Sequence, residues 1–166
     1  MVTNDIPYQE FRIAPADAAR GPALQSLIVM VLSEYGLQAD LTGVDADVLD
    51  IERHYRQPGG DFFAVQRAGT LVGTMGFVPI DADTCELRKM YLLAAARGCG
   101  LGRRLLTLAE TEVRQRGYRF MQLETASVLK EAVALYERHG YLSQCGAPHV
   151  SRCDRRYRKD LSLAAS

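Results

Sequence analysis

The segment Arg97-Gly98-Cys99-Gly100-Leu101-Gly102 constrains what this chain can fold into more than any other stretch. A strand-like apolar run, Cys85 to Leu93, leads into it, and a helix-like run, Leu101 to Arg116, leaves it. Glycines at alternate positions let backbone N–H groups approach an anion where a helix starts, and the helix N-terminus adds a favourable dipole. Arg97 in front and Arg103-Arg104 behind bring fixed positive charge. The segment reads as a site for phosphate or pyrophosphate; the plainer reading is a glycine-rich turn into an amphipathic helix.

Two common phosphate loops do not fit. A Walker A loop needs G-x-x-x-x-G-K-[ST], and no Gly-Lys-Ser/Thr occurs in the chain. The dinucleotide fingerprint G-x-G-x-x-G would put its third glycine at Arg103, and too little chain follows for the strand–helix units of such a fold.

Periodicity predicts the architecture around the loop. Phe11 to Ala14 reads as a first strand. Leu24, Leu27, Ile28, Val31, Leu32 and Tyr35 form one helical stripe, entered at Pro22 and stopped by Gly36. Asp45 to Arg56 reads as a second helix, with Val44, Val48, Ile51 and Tyr55 on one face, broken by Pro58-Gly59-Gly60. Asp61 to Arg67 and Thr70 to Ile80 read as a hairpin joined at Ala68-Gly69, and Thr84 to Leu93 as the next strand. Leu101, Leu105, Leu108, Ala109 and Val113 mark a third helix closed by Gly117, followed by a strand over Arg119 to Thr125. Leu129, Ala132, Val133 and Tyr136 mark a fourth helix closed by Gly140, and Tyr141 to Gln144 and Arg155 to Leu161 read as two final strands. The order predicts a single α/β (α+β) domain over residues 1–166. Its core is a mixed, partly antiparallel, twisted sheet of about seven strands with helices on both faces.

Charge and cysteine usage bound the function. Lys and Arg number 20 and Asp and Glu 20, so neither nucleic acid nor an acidic membrane is expected as a partner. Met1 to Arg20 lacks the apolar stretch of a signal peptide, and no apolar run approaches membrane-spanning length, which predicts a cytoplasmic location. Cys85, Cys99, Cys145 and Cys153 are expected to be reduced. Cys145-x-x-x-His149-x-x-x-Cys153 carries ligand-type residues, but it lacks a fourth ligand and Gly146 and Pro148 break the helix it would need; no metal is expected. The basic stretch Arg152 to Lys159 contains one aromatic, Tyr157, and reads as alternation along an exposed strand.

A second motif follows one strand after the glycine loop: Ala132-Val133-Ala134-Leu135-Tyr136-Glu137-Arg138-His139-Gly140-Tyr141. Together, Arg97-x-x-Gly100-x-Gly102 and this run resemble the GCN5-related N-acetyltransferase (GNAT) superfamily, whose landmarks are [Q/R]-x-x-G-x-[G/A] and A-x-x-L-Y-x-x-x-G-[F/Y]. The resemblance covers Glu86 to Tyr141, about a third of the chain, and beyond that rests on the order of elements. It implies acetyl-coenzyme A as co-substrate. The loop residues Arg97, Gly98, Cys99, Gly100, Leu101, Gly102 and Arg103 would face its pyrophosphate, with Arg104 equally well placed at the solvated surface. Tyr91, Leu92 and Leu93 would pair with the pantetheine arm like an added strand. By the same resemblance, the strands over Thr84 to Leu93 and Arg119 to Thr125 splay apart and hold the thioester between them. The strand bulges near Leu92 and offers a backbone N–H there to the oxyanion.

Acetylating an amine requires the neutral amine, and a lysine-like amine has a pKa of about 10.4, so a base or a water path must take a proton. The leaving thiolate needs a proton donor, the family role of the motif tyrosine, here Tyr136; from periodicity alone Tyr136 is a core aromatic. Two carboxylates compete as base. Glu86 lies eleven residues before Arg97, the offset of the catalytic Glu in Gcn5-type histone acetyltransferases, and is slightly preferred. Glu124 lies twelve residues before Tyr136, the offset in RimI-type N-terminal acetyltransferases. Each interrupts an apolar strand, where partial burial raises a carboxyl's pKa toward the working range. Each also reads as a surface residue or a partner of Arg88 or Arg119. A bound water is the third candidate.

RimI-type enzymes commonly carry Asn three residues before the motif Ala; Leu129 stands there, which points away from a peptide acceptor. Acceptor choice is expected from Tyr35 to Asp47 and Ser143 to Asp154, with Tyr35, Asp40, Asp45, His54 and His149 as polar candidates. The expectation is transfer to a small-molecule primary amine in a ternary complex. The alternatives are a protein or peptide amine as acceptor, or a non-catalytic acetyl-coenzyme A sensor. A homodimer is in keeping with the superfamily.

Overall fold

The computed structural model describes residues 10–163. Seven strands form one sheet: β1 (Phe11–Pro15), β2 (Asp61–Arg67), β3 (Thr70–Pro79), β4 (Thr84–Leu92), β5 (Phe120–Thr125), β6 (Leu142–Ser143) and β7 (Arg155–Asp160). Their spatial order is β1-β2-β3-β4-β5-β7-β6. Only β4 and β5 pair in parallel; every other neighbouring pair is antiparallel. The β2–β3 hairpin turns at Ala68-Gly69, with φ of +49° and +80°, the primed geometry whose twist matches the flanking strands.

Alternation along the strands sends side chains to two faces. On one face Phe63, Val65, Met75, Phe77, Cys85, Leu87, Met121 and Leu123 meet Leu101, Leu105, Leu106, Ala109 and Val113 of α2 (Leu101–Gln115) and Tyr136 of α3 (Lys130–Arg138). On the other, Phe62, Ala64 and Val78 meet Leu24, Ile28 and Leu32 of α1 (Gly21–Glu34). These are the stripes the periodicity predicts, except that in α2 Leu106 is buried and Leu108 only partly so. Where β4, β5 and β7 continue the α1 face, the composition turns polar: Glu86 lies opposite Gln122, Gln122 opposite Arg158, and Glu124 opposite Arg156.

The second predicted helix is not one helix. Val44–Leu49 is a tight 3₁₀ stretch, Asp50 breaks it with φ −140° and ψ 73°, and Glu52–Arg56 forms a wide π-type turn. Val48, Ile51 and Tyr55 are buried as expected, whereas Val44 is exposed. The cause is a charge. Asp45 is fully buried; its carboxylate accepts from Arg152 Nη1 (2.7 Å), Arg152 Nη2 (2.9 Å) and the Asp40 N–H (2.7 Å), with Lys89 Nζ at 3.2 Å. Asp47 Oδ2 accepts from the Tyr55 hydroxyl at 2.5 Å. Tertiary partners of two carboxylates therefore override the helical period. The same contact corrects the reading of the basic stretch: Arg152 is largely enclosed and Tyr157 is buried, so this is not simple alternation along an exposed strand.

The bulge in β4 also differs from expectation. The β3–β4 register shifts between Thr74 and Gly76, opposing Met75 to Lys89 and Met90; Lys89 has φ +52°, and its carbonyl accepts from Thr74 Oγ1 at 2.6 Å. The bulge thus precedes Leu92, and it turns the Lys89 ammonium inward to Asp45 and Asp47 (3.2 and 3.3 Å).

Burial alone would raise the Asp45 carboxyl, but the hydrogen bonds from Arg152 and Asp40 and the charge of Lys89 outweigh it and hold the carboxyl below its usual value. A carboxyl lowered on folding stabilises the fold fully above its unfolded pKa, and that contribution drains as pH falls through the folded value. Asp45→Ala leaves the enclosed Arg152 without an acid and Lys89 with Asp47 alone, and should cost about 3–5 kcal/mol in urea unfolding at pH 7. The difference from the parent should shrink below about pH 4. Equal stability of the two proteins at pH 7 would show that Asp45 does not hold this region.

Candidate active site

The glycine loop forms as follows. β4 ends at Leu92, Ala94–Ala96 makes one 3₁₀ turn, and Gly98 and Gly100 take φ of +77° and +81° before α2 starts at Leu101. No side chain caps α2, and no acidic residue lies in its first turn. The Arg104 N–H is bonded to the Gly100 carbonyl at 3.1 Å, so the Leu101, Gly102 and Arg103 N–H groups are the free donors of the helix start. Nothing lies within 4 Å of where a Gly98 side chain would begin. Gly102 serves a different end: a Cβ there would sit 3.3 Å from Leu135 Cδ2, so its role is the close approach of α2 to α3.

The predicted coenzyme residues divide in two. Tyr91, Leu92, Arg97, Gly98, Gly100, Gly102 and Arg103 line a groove of about 1140 Å³ with Ala132 and Leu135 of α3. Leu93, Cys99 and Leu101 turn inward: Leu93 packs on the core, Leu101 is buried in it, and Cys99 Sγ sits 3.4 Å from the Ala96 carbonyl. These three can contribute only through the backbone. Arg97 is also engaged internally. Its Nε donates to the Leu92 carbonyl (2.9 Å), its Nη1 to Glu34 (2.8 Å), and its guanidinium lies over the Tyr35 ring at 5.4 Å. Much of its charge is thereby met by Glu34, and its enclosed Nη2 has no partner.

β4 and β5 are in register from Thr84↔Phe120 to Leu87↔Leu123, and no pair follows. The Leu93 N–H bonds to the Val72 carbonyl of β3. Alternation therefore turns the Leu92 main-chain groups to the opposite edge, the one that β5 has left. On the other side of this parting is a second cavity of about 810 Å³, lined by Glu86, Arg88, Glu124, Tyr136, His149, Arg152 and Arg156 among others. Met90, Tyr91, Leu129 and Ala132 border both spaces.

Tyr136 lies on α3 with its ring near Tyr141 (5.8 Å) and Tyr157 (6.4 Å). Burial, then the nearby Tyr91 and Cys153, push its hydroxyl well above the ordinary phenol range, so it holds its proton at neutral pH. Glu86 Oε1 is bound by Arg88 Nε at 2.5 Å, and Glu86 stands where β4 and β5 are still paired, opposite Gln122. Glu124 stands one residue past the last pair, nearly enclosed. It accepts the His149 backbone N–H and faces His149 Nδ1 at 3.2 Å.

The acceptor candidates separate as clearly. Asp45 is internal, the Asp40 N–H supports it, and the Tyr35 hydroxyl donates to Glu131 at 3.0 Å. His54 and His149 line the cavity. Sequence reasoning did not reach Arg88, Lys89, Arg152 and Arg156 as cavity residues; they read as surface charge, and only the tertiary fold brings them to the cavity. Among the described residues, no group of three or more His, Cys, Asp or Glu is placed to hold a metal, and no helix is long and apolar enough to cross a membrane.

Comparison with known proteins places this geometry. The model described as the acetyltransferase (GNAT) family matches residues 30–141. The chain is similar to the uncharacterized N-acetyltransferase YjgM of Escherichia coli, 41% identical over 125 residues, covering 72% of this chain and 75% of that protein. Its structure resembles a GNAT-family acetyltransferase from Staphylococcus aureus, with TM-score 0.84 at 21% identity over 91% of this chain and 99% of that one. It also resembles YncA of Salmonella typhimurium, solved with its cofactor acetyl-CoA, with TM-score 0.72 at 20% identity over 95% and 97% of the two chains.

Gly100→Glu places bulk, negative charge and an unfavourable φ at the helix start. Calorimetry should show at least about a hundredfold loss of affinity for a pyrophosphate-bearing coenzyme, while Tm falls by only about 4–8 °C. Unchanged affinity would remove the anion site from this loop.

Proposed function

As a member of the GNAT acetyltransferase family the chain is an N-acetyltransferase, and we propose that it moves the acetyl group of acetyl-coenzyme A directly to a primary amine of a small molecule, with both bound at once. The observation that carries this reading is the meeting of two spaces at Met90, Tyr91, Leu129 and Ala132, where β4 and β5 part. A groove with an uncapped helix start on one side suits a pyrophosphate coenzyme, as in the Salmonella neighbour solved with acetyl-CoA. A cavity of about 810 Å³ on the other has the size of a small-molecule site, which favours a free amine over a protein surface.

The residues divide the chemistry. The free N–H groups of Leu101, Gly102 and Arg103, with the Arg103 guanidinium, hold the diphosphate. The edge of β4 at Leu92 holds the pantetheine arm, and Arg97 braces that edge through the Leu92 carbonyl. Glu124 takes the amine proton: it lies at the mouth of the parting, and its carboxylate is oriented by His149. Glu86, committed to Arg88 lower in the paired region, is the less suited of the two. Tyr136, protonated at neutral pH, gives its proton to the departing thiolate.

With any accepted amine, followed by thiol release, Glu124→Gln should lower kcat by about 10²–10⁴-fold and remove the acidic limb of the pH–rate profile. Glu86→Gln should keep that limb. Tyr136→Phe should lower kcat by at least about tenfold with little change in acetyl-coenzyme A affinity. An acidic limb that survives in Glu124→Gln assigns the base to another group.

A further inference from the structure

On the reading that this cavity takes the amine, we propose that the acceptor also carries a carboxylate, and that Arg156 binds it: the substrate class is an α-amino acid or a close analogue.

The charged groups lining the cavity nearly all have partners. Lys89 and Arg152 close on Asp45, and Lys89 also on Asp47. Arg88 closes on Glu86, and Glu124 on His149. Asp81 is exposed, and His54 and Asp47 also line the cavity. Arg156 alone among the lining guanidinium and ammonium groups has no acid within ion-pair distance among the described residues, and its Nε is buried with no hydrogen-bond partner. A buried donor left unmet is costly, and a guanidinium fork matches a carboxylate in two parallel bonds.

The surroundings leave the Arg156 guanidinium without a competing acid among the described residues. Its neighbour on β7, Arg158, is committed elsewhere: its guanidinium lies 4.0 Å from the Phe120 ring centre and donates to Thr84 at 3.4 Å. The β6–β7 loop passes over Arg156 at Gly146, where a Cβ would come within 3.0 Å of Nη1. A side chain there would press on the guanidinium; glycine leaves it room.

Placement supplies the second half. Arg156 stands directly across from Glu124 in the β5–β7 register. Cross-strand neighbours have Cβ atoms about 5 Å apart. A carboxylate on Arg156 therefore brings an amine on the neighbouring carbon toward Glu124, the proposed base, at the mouth of the strand parting. An acceptor with amine and carboxylate on one carbon meets both groups; a simple alkylamine leaves Arg156 unmet. The transfer itself balances as for any amine: the N–C bond forms, the C–S bond breaks, the amine proton leaves to the base and the thiolate takes one back.

The test compares each standard L-amino acid with its own primary amide, by thiol release and mass of the product. The amide's less basic amine would otherwise favour it. The expected result is N-acetylation of at least one free amino acid with kcat/KM about tenfold or more above its amide. Arg156→Gln should lower that ratio by about tenfold to a hundredfold, and Arg156→Lys, which keeps the charge without the fork, by less. Amides equal or better throughout, acetylation of no free amino acid, or an unchanged ratio in Arg156→Gln overturns the proposal. If Arg156→Gln does not fold, the parent's ratio decides alone. Titration of the parent with acetyl-coenzyme A separates the two readings: binding without preference for the free acid sinks only the carboxylate, whereas absence of binding sinks the coenzyme reading and this one with it.

Discussion

Once β4 and β5 part beyond Leu87 and Leu123, the backbone groups on their facing edges must find partners other than each other. The rest of the structure is arranged around that constraint. On β4 the Leu92 carbonyl is met by Arg97 Nε, which bends the guanidinium back from the loop and ties it to Glu34 at the end of α1. The remaining edge is the one proposed for the pantetheine arm. On the β5 side, Glu124 projects just past the last pair and is held by the β6–β7 loop. The α2 N-terminus and α3, packed closely because residue 102 is glycine, close one side of the gap and place Tyr136 in it. A parallel pair that stays together only for its first four residues thus creates both the open edge proposed for the coenzyme and the cavity proposed for the acceptor.

The wall of the cavity proposed for the acceptor depends on a second device, the buried Asp45 carboxylate. It joins three distant pieces of chain: the irregular segment after α1, the β4 bulge at Lys89, and Arg152 before β7. Removing a charge from water is costly, and only this full set of partners makes the burial tolerable. The arrangement also spends the charge of Lys89 and Arg152 internally. That leaves the cavity with few unmet groups, so a single unpartnered guanidinium there carries information about the ligand.

What could be read from the sequence follows from locality. Helix stripes such as Leu101 to Val113 and strands such as Asp61 to Arg67 obey periods set by the backbone, and the glycine loop obeys the local demands of a positive φ. Tyr136 was legible as a candidate site residue only through its motif, since its spacing equally marks a core aromatic. The second helix failed because Asp45 answers to Arg152, 107 residues away, and no window along the chain contains both. The bulge near Leu92 falls instead at Lys89 and Met90 for the same reason: its position is set by pairing with β3 and by the ammonium's partners. Arg97 was legible as a positive charge at the loop but not as a brace, because its acceptors are a carbonyl and an α1 carboxylate that meet only in the fold.

The measurement that bears most directly on this account is calorimetric titration of the full chain with acetyl-coenzyme A, with NADH and ATP as controls for phosphate binding. The account predicts saturable one-site binding of acetyl-coenzyme A and much weaker binding of the other two, since only the first also fills the edge left by the parted strands. No binding, or equal binding of all three, would contradict it and reduce the glycine loop to a structural turn or a general phosphate site.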